Sequence, residues 1–246
     1  MLRFGSRALT TLILPTERNL VTAPQSSDDA ADLLAPAKPL ARGWIHTVMA
    51  PLAAALGAVL VVAAPTAAAR IAVAVFAFTT VLLFTVSAIY HRGTWAPGPM
   101  ATLRRLDHAN IFLVIAGTYT PLAVTLLPAR TAAILLAVVW AGALAGIGAR
   151  VFWLHAPRWF YVPVYVALGW VAVWFLPSFH AAGGPAVVWL VIAGGLGYTL
   201  GALAYGFRWP DPSPRYFGYH EIFHVGTVIG YVCHAAAVLL AILALR

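Results

Sequence analysis

Long apolar runs separated by short polar loops make up most of the sequence after residue 43. Each run approaches the roughly 20 residues that an α-helix needs to cross a bilayer core of about 30 Å. Hydrophobic residues are 62% of the chain and charged residues only 9%, which excludes an ordinary soluble domain. The sequence predicts an all-α, multi-pass protein of the cell membrane, a bundle of seven transmembrane helices at residues 44–64, 70–91, 107–127, 132–149, 159–180, 186–206 and 219–244.

The first 40 residues differ in composition from the rest of the chain. Four prolines and a group of serine and aspartate residues between positions 26 and 32 interrupt any long apolar run. The apolar segment at residues 8–15 is too short to span a membrane, and no small-residue cleavage pattern follows it, which argues against a signal peptide. We expect residues 1–40 to be a disordered cytoplasmic tail and residues 41–246 to form the transmembrane domain.

The basic residues predict the orientation of the bundle. Twelve of the 15 lysine and arginine residues fall in the tail and in the loops on one side, leaving only Arg70, Arg130 and Arg246 on the other. The positive-inside rule then places the N-terminus in the cytoplasm and the C-terminus outside. The net charge of +8 reflects this topology and an attraction to anionic lipid headgroups, so it gives no reason to expect a nucleic-acid partner. A retinal protein is excluded because Lys38, the only lysine, is not in the last helix.

Three histidines are expected at the cytoplasmic ends of two helices. His91 ends the second apolar run, and His220 and His224 in the motif HEIFH begin the seventh. Residues four apart share one face of a helix and differ in height by about 6 Å, so the last two can bind one ion. Zinc accepts imidazole nitrogen readily, and catalytic zinc commonly has three protein ligands and an open position. We predict that His91, His220 and His224 bind Zn²⁺.

A carboxylate and a hydroxyl are expected in the same layer. Asp107 is predicted at the start of the third helix, where a buried carboxylate is costly and indicates function. Ser87 lies four residues before His91 and shares its face. We predict that Asp107 and Ser87 lie beside the metal ligands and support them. Simpler interpretations stay open: the aspartate could cap the third helix, the serine could bond its own backbone, and each histidine alone could be a headgroup-level side chain.

Three further residues near the motif, Glu221, His46 and His234, have other interpretations. HEIFH matches the HExxH pattern of zinc peptidases, in which the glutamate is the general base. Glu221 lies about 100° around the helix from His220, so we interpret it as a helix-start or interfacial residue, with a supporting role at the metal as the alternative. His46 enters the first helix at the depth of the site and could support it. His234 lies roughly 15 Å deeper, and we expect it to hydrogen-bond within the bundle.

Three motifs in this order resemble the hemolysin III family, the bacterial branch of the progestin and adiponectin receptor superfamily. They are SAIYH at residues 87–91, LDHANIFLVIAGTYTP at 106–121 and HEIFHVGTVIGYVCH at 220–234. The resemblance extends over residues 40–246. ARGWIH at residues 41–46 departs from it, because many relatives have acidic and asparagine residues before the equivalent histidine.

The resemblance implies a cytoplasmic-side zinc held by His91, His220 and His224, with Asp107 contacting a zinc-bound water and Ser87 nearby. The superfamily includes alkaline ceramidases, which implies hydrolysis of a membrane lipid amide. Zinc would lower the pKa of its water toward about 7 and polarise the amide carbonyl. Asp107 would transfer the proton, and Ser87 would donate to the developing oxyanion.

Two other functions stay open at this point. One is a non-catalytic receptor or sensor in which a structural zinc joins helices two, three and seven. The other is a pore-forming cytolysin, which the family name implies, although the predicted helices carry no charged stripe that would line a pore. A role in membrane lipid homeostasis rests on family analogy alone, and the sequence does not indicate an oligomeric state.

Overall fold

A computed structural model of the chain describes residues 39–153 and 157–245. The expected disordered tail therefore lies outside the described residues except for its last two positions. The described ranges contain no β-strand beyond an isolated bridge between Ser213 and Phe217, which confirms the all-α prediction. The helices are α1 (Trp44–Ala63), α2 (Ala67–Arg92), α3 (Pro97–Leu126), α4 (Ala129–Phe152), α5 (Arg158–Gly169), a 3-10 segment (Trp170–Phe175), α6 (Leu176–Phe207) and α7 (Tyr219–Leu243).

Six helical stretches within the described ranges are long and apolar enough to cross a membrane. Five of them are α1, α2, α3, α4 and α7, and the sixth is the 50-residue stretch Arg158–Phe207. A straight helix of that length would extend about 75 Å, more than twice the thickness of a bilayer core. Large apolar side chains such as Val62 and Phe152 are exposed on the outer surface, as lipid contact requires.

The stretch Arg158–Phe207 is not straight, because the chain reverses direction at Gly184. This residue has a φ of 77°, in the left-handed region that favours glycine, and it interrupts the helical dihedrals of α6. On the two sides of the reversal, the indole Nε1 of Trp170 donates to Thr199 Oγ1 at 2.8 Å. Residues 29 apart could not meet in this way along one continuous helix. The segment before Gly184 therefore packs antiparallel to the segment after it.

The third helix begins ten residues earlier than expected. Pro97 lies in its first turn, where a proline is tolerated because the missing N–H has no partner in the helix, and Ala96 is the N-cap. The helix then continues through the polar residues Arg104 and Arg105, which hydropathy alone had assigned to a loop. Asp107 lies well inside α3 as a result. The interpretation of Asp107 as the helix cap is therefore wrong.

Glycines bring α6 and α7 into close contact. A Cβ at Gly226 would lie 2.7 Å from the carbonyl oxygen of Gly197, and a Cβ at Gly201 would lie 3.1 Å from that of Phe223. The two backbones can approach this closely only because these positions lack side chains. The contact fixes the register of α7 against α6, and with it the position of the histidines in the first two turns of α7.

Candidate metal centre

Two helix ends bring the three predicted ligands together. His91 is the penultimate residue of α2, and His220 and His224 lie in the first two turns of α7. One ring nitrogen from each residue lies within 4.8 Å of the other two, and Nε2 of His220 is 3.1 Å from Nε2 of His91. In a tetrahedral zinc site with Zn–N bonds of about 2.0–2.1 Å, ligand nitrogens are about 3.4 Å apart. The three histidines could therefore hold a metal ion with small adjustments of their side chains.

Burial provides an independent test of this interpretation. His224 is 1% exposed, and its Nδ1 has no hydrogen-bond partner among the described residues. A buried polar atom without a partner costs about 1–3 kcal/mol. Three imidazoles converging from two helices are also a donor set that zinc accepts. The residues present therefore fit a bound metal ion, which would satisfy buried imidazole nitrogens that apolar surroundings cannot.

The two predicted catalytic residues lie beside the histidines. Oδ2 of Asp107 is 3.8 Å from Nε2 of His91, and the Ser87 hydroxyl lies next to the same carboxylate. Although α3 begins earlier than expected, Asp107 still reaches the predicted layer because α3 passes the end of α2. All five residues predicted for the site are thus close together in the structure.

An apolar cavity leads away from Ser87 and Asp107 into the bundle. It has a volume of about 120 Å³, passes Ile115 and Leu122 of α3, and reaches Leu176 at the start of α6. Its walls are mostly apolar side chains, and Ser87 and Asp107 are among the polar groups that line it. An elongated apolar molecule could lie in the cavity and present a polar group to the carboxylate.

His46 of α1 packs against the centre and also lines the cavity. Its ring is stacked on that of His224 and packs edge-on against Phe84, with 5.0 Å between those two centroids. The residue just before α1 is also constrained: Gly43 has a φ of 80°, and a Cβ there would lie 2.9 Å from Cβ of His91. The supporting position expected for His46 is confirmed, whereas the close approach of Gly43 had no signal strong enough to predict it.

Glu221 binds an arginine that sequence reasoning did not connect with it. Its carboxylate is fully buried, forms an ion pair with Arg42, and accepts a hydrogen bond of 2.9 Å from the backbone N–H of Gly218. The helix-start interpretation of Glu221 is confirmed, because the carboxylate caps the first turn of α7. The Arg42 pair joins the segment before α1 to the start of α7, directly next to the histidine group.

The other histidines lie elsewhere. Nε2 of His234 donates to the carbonyl oxygen of Val191 at 3.2 Å, which confirms the expected hydrogen bond inside the bundle. Nδ1 of His108 is 2.7 Å from the carbonyl oxygen of Arg104, and its ring packs edge-on against Tyr161. His180 is exposed, and His155 lies outside the described residues.

Comparison with known proteins identifies the family. A family model described as Haemolysin-III related matches residues 35–235, a span that contains all five predicted site residues. The chain belongs to the Haemolysin-III related family. Two members it resembles are a hemolysin-3 homolog of Bacillus subtilis (strain 168), 30% identical over 125 residues, and a hemolysin-3 of Bacillus cereus, 30% identical over 129 residues.

These two alignments cover 51% and 52% of the chain and 58% of each relative. The chain thus spans little more than half the length of the hemolysin-3 proteins that it matches. Membership of the Haemolysin-III related family and the apolar helical stretches together establish a multi-pass membrane protein.

Proposed function

We propose that this hemolysin III-related protein is a zinc-dependent hydrolase of membrane lipid amides. One observation carries the proposal: Asp107 and Ser87 line an apolar cavity inside the bundle, and Asp107 lies beside three convergent histidines. A lipid amide has the matching shape, since its acyl chain is apolar and its reactive carbonyl lies at one end.

The proposal includes seven membrane crossings with a cytoplasmic N-terminus. The reversal at Gly184 supports counting the stretch Arg158–Phe207 as two crossings, and the bias of arginines toward one side supports the orientation. An odd number of crossings then puts the two ends of the bundle's chain on opposite sides. The histidine centre would face the cytoplasmic leaflet, and substrate would enter from the bilayer.

His91, His220 and His224 would hold the zinc. Zinc with an open position activates a water molecule as a nucleophile and polarises a carbonyl group. The protein supports this geometry through the His46 ring stacked on His224, because side chains next to a ligand fix its orientation.

The remaining residues bind and orient the substrate and move a proton. The cavity holds the acyl chain so that its carbonyl carbon faces Asp107 and Ser87. Asp107 takes the proton from the attacking water, the carbon–nitrogen bond breaks, and the proton is delivered to the leaving amine. Ser87 donates a hydrogen bond to the carbonyl oxygen as negative charge develops on it. The products are a fatty acid and a free amine.

A structural metal in a receptor or sensor is the second candidate. It is favoured by the fact that the three histidines come from the ends of α2 and α7, so a shared ion would join two helices far apart in sequence. A pore-forming cytolysin has less support, because the cavity in the described part of the chain is lined mainly by apolar side chains.

Measuring zinc content and lipid turnover on the same samples tests the proposal. Purified full-length protein should release fatty acid from a ceramide-type amide in detergent micelles. Asp107→Asn should keep its zinc and lose roughly 10²–10⁴-fold in rate, the usual contribution of a general base. His180→Ala, at an exposed histidine, is the control and should behave as wild type. Stoichiometric zinc without turnover would favour the structural role instead.

A further inference from the structure

A second polar site lies away from the histidine centre, at the end of α4. Arg150 is in the last turn of this helix and is only 2% exposed. Its Nε and Nη1 are buried and have no hydrogen-bond partner among the described residues. Burying a guanidinium whose donors are unsatisfied costs several kcal/mol unless an anion accepts from it. The guanidinium therefore needs a hydrogen-bond acceptor from outside the residues that the structure describes.

No carboxylate in the described ranges serves as that partner. Those ranges contain three acidic residues, and each has another contact: Asp107 faces His91, Asp211 accepts from the backbone N–H of Tyr219, and Glu221 binds Arg42.

The surroundings of Arg150 are instead cationic and aromatic. Arg104, Arg150 and Arg158 all lie close enough to His108 to interact with it electrostatically, so three arginines share this region. The guanidinium of Arg150 lies over the ring of Tyr161, 4.3 Å from its centroid. An aromatic face stabilises a cation, but it does not satisfy the N–H donors, which lie in the plane of the guanidinium. Among the residues that the structure describes, the site thus carries positive charge without a counter-ion.

A separate cavity begins at this guanidinium. Its volume is about 210 Å³, and its apolar walls include Ala145 and Ala149 of α4 and Phe160 and Val164 of α5. A single ordered water needs only about 10–15 Å³ of such space, so the cavity exceeds a water site. It shares no lining residue with the cavity at Asp107. These four apolar residues are exposed on the outer surface of the bundle, so the cavity opens toward the lipid.

We infer that this cavity binds one anionic phospholipid, with its phosphate on Arg150 and part of an acyl chain between α4 and α5. Guanidinium N–H groups match phosphate oxygens in bidentate geometry, which would satisfy the donors left open here. A lipid fits better than a soluble anion, because the guanidinium is reached along an apolar opening on the membrane-facing surface. The inference is independent of any hydrolytic activity at the histidine centre.

Native mass spectrometry of the purified full-length protein tests this site. Phosphatidylglycerol and phosphatidylcholine with identical acyl chains are offered in equal amounts. Wild type should retain one phosphatidylglycerol in preference to phosphatidylcholine. Arg150→Gln should weaken phosphatidylglycerol binding roughly tenfold, as loss of a charge-assisted hydrogen bond does, and leave phosphatidylcholine binding unchanged. Ala145→Phe should also weaken phosphatidylglycerol binding, because the added ring fills the apolar part of the cavity.

Two matched variants serve as controls. Arg130→Gln makes the same charge change at an exposed arginine in the first turn of α4, and Ala137→Phe adds the same ring at an exposed position of that helix. Both should bind as wild type. If Arg150→Gln does not fold, Ala145→Phe still tests whether the cavity binds the lipid, because this variant keeps Arg150. The inference would be overturned if wild type bound the two lipids equally, or if Ala145→Phe bound phosphatidylglycerol as well as wild type does. Displacement of the lipid by millimolar inorganic phosphate would also overturn it.

Discussion

The imidazole rings of His46 and His224 are stacked, with 3.8 Å between centroids and 8° between planes. His224 also meets the rings of His91 and His220, at centroid distances of 5.2 and 4.7 Å. A residue of α1 thus packs against a ring of the candidate metal-ligand group. This arrangement makes the first helix part of the centre although it contributes none of the three predicted ligands.

Replacing His46 should loosen metal binding. We expect His46→Ala to reduce zinc affinity by roughly 10–100-fold, the usual effect of removing a side chain that orients a ligand. His46→Phe keeps a flat ring and should recover most of the loss. Competition with a coloured zinc chelator measures the affinity, with His180→Ala as the control. Zinc retention by His46→Ala equal to that of wild type would show that the stacked ring has no orienting role.

Removing the metal should lower the thermal stability of the protein. A ligand present at 100 times its Kd stabilises the folded state by about 2.7 kcal/mol, and a chelator removes that contribution. The melting temperature of wild type in detergent should therefore fall by several degrees on chelation. His220→Ala and His224→Ala should start from the lower value and respond little, whereas His234→Ala should respond as wild type does. An unchanged wild-type melting temperature would argue against a metal that contributes to folding.

Breaking the pair between Arg42 and Glu221 should destabilise the protein strongly. Because Glu221 is fully buried, Arg42→Gln leaves a carboxylate without its cation, and we expect a loss of about 3–5 kcal/mol. The double variant Arg42→Gln with Glu221→Gln should lose less, since no unpaired charge remains. Arg215→Gln, at an exposed arginine in the loop before α7, is the control for net charge. Thermal denaturation compares wild type with the three variants. Similar stabilities for Arg42→Gln and Arg215→Gln would show that the buried ion pair does not stabilise the protein.

The contact between α6 and α7 should not tolerate a methyl group. Gly226→Ala places a Cβ 2.7 Å from the Gly197 carbonyl oxygen, and because backbone cannot move aside easily, we expect a loss of about 1–3 kcal/mol. Gly148→Ala is the matched control, since a Cβ there meets no atom within 4 Å. It should be neutral or stabilise by up to about 1 kcal/mol, the difference in helix propensity. Equal melting temperatures for the two variants would contradict the close helix contact.

Several features could be predicted from sequence because they depend on local properties. The apolar runs located most helices to within a few residues, and the four-residue spacing of His220 and His224 is a consequence of helical geometry. The start of α3 was missed because Arg104 and Arg105 lower the local hydropathy without preventing a helix. The buried Arg150 was also missed, since a basic residue at a helix end gives the same sequence signal whether it is exposed or buried.

The sequence by itself determined that the chain is a multi-pass helical membrane protein and which histidines could reach one depth. Transfer of apolar residues into a bilayer is a sum along each segment, so it requires no knowledge of neighbouring helices. Only the tertiary structure decided that His46 stacks on His224, that Glu221 pairs with Arg42 across 179 residues, and that Arg150 has no carboxylate partner within residues 39–153 and 157–245. Each of these depends on how a helix is rotated about its axis, and that rotation is set by packing against other helices.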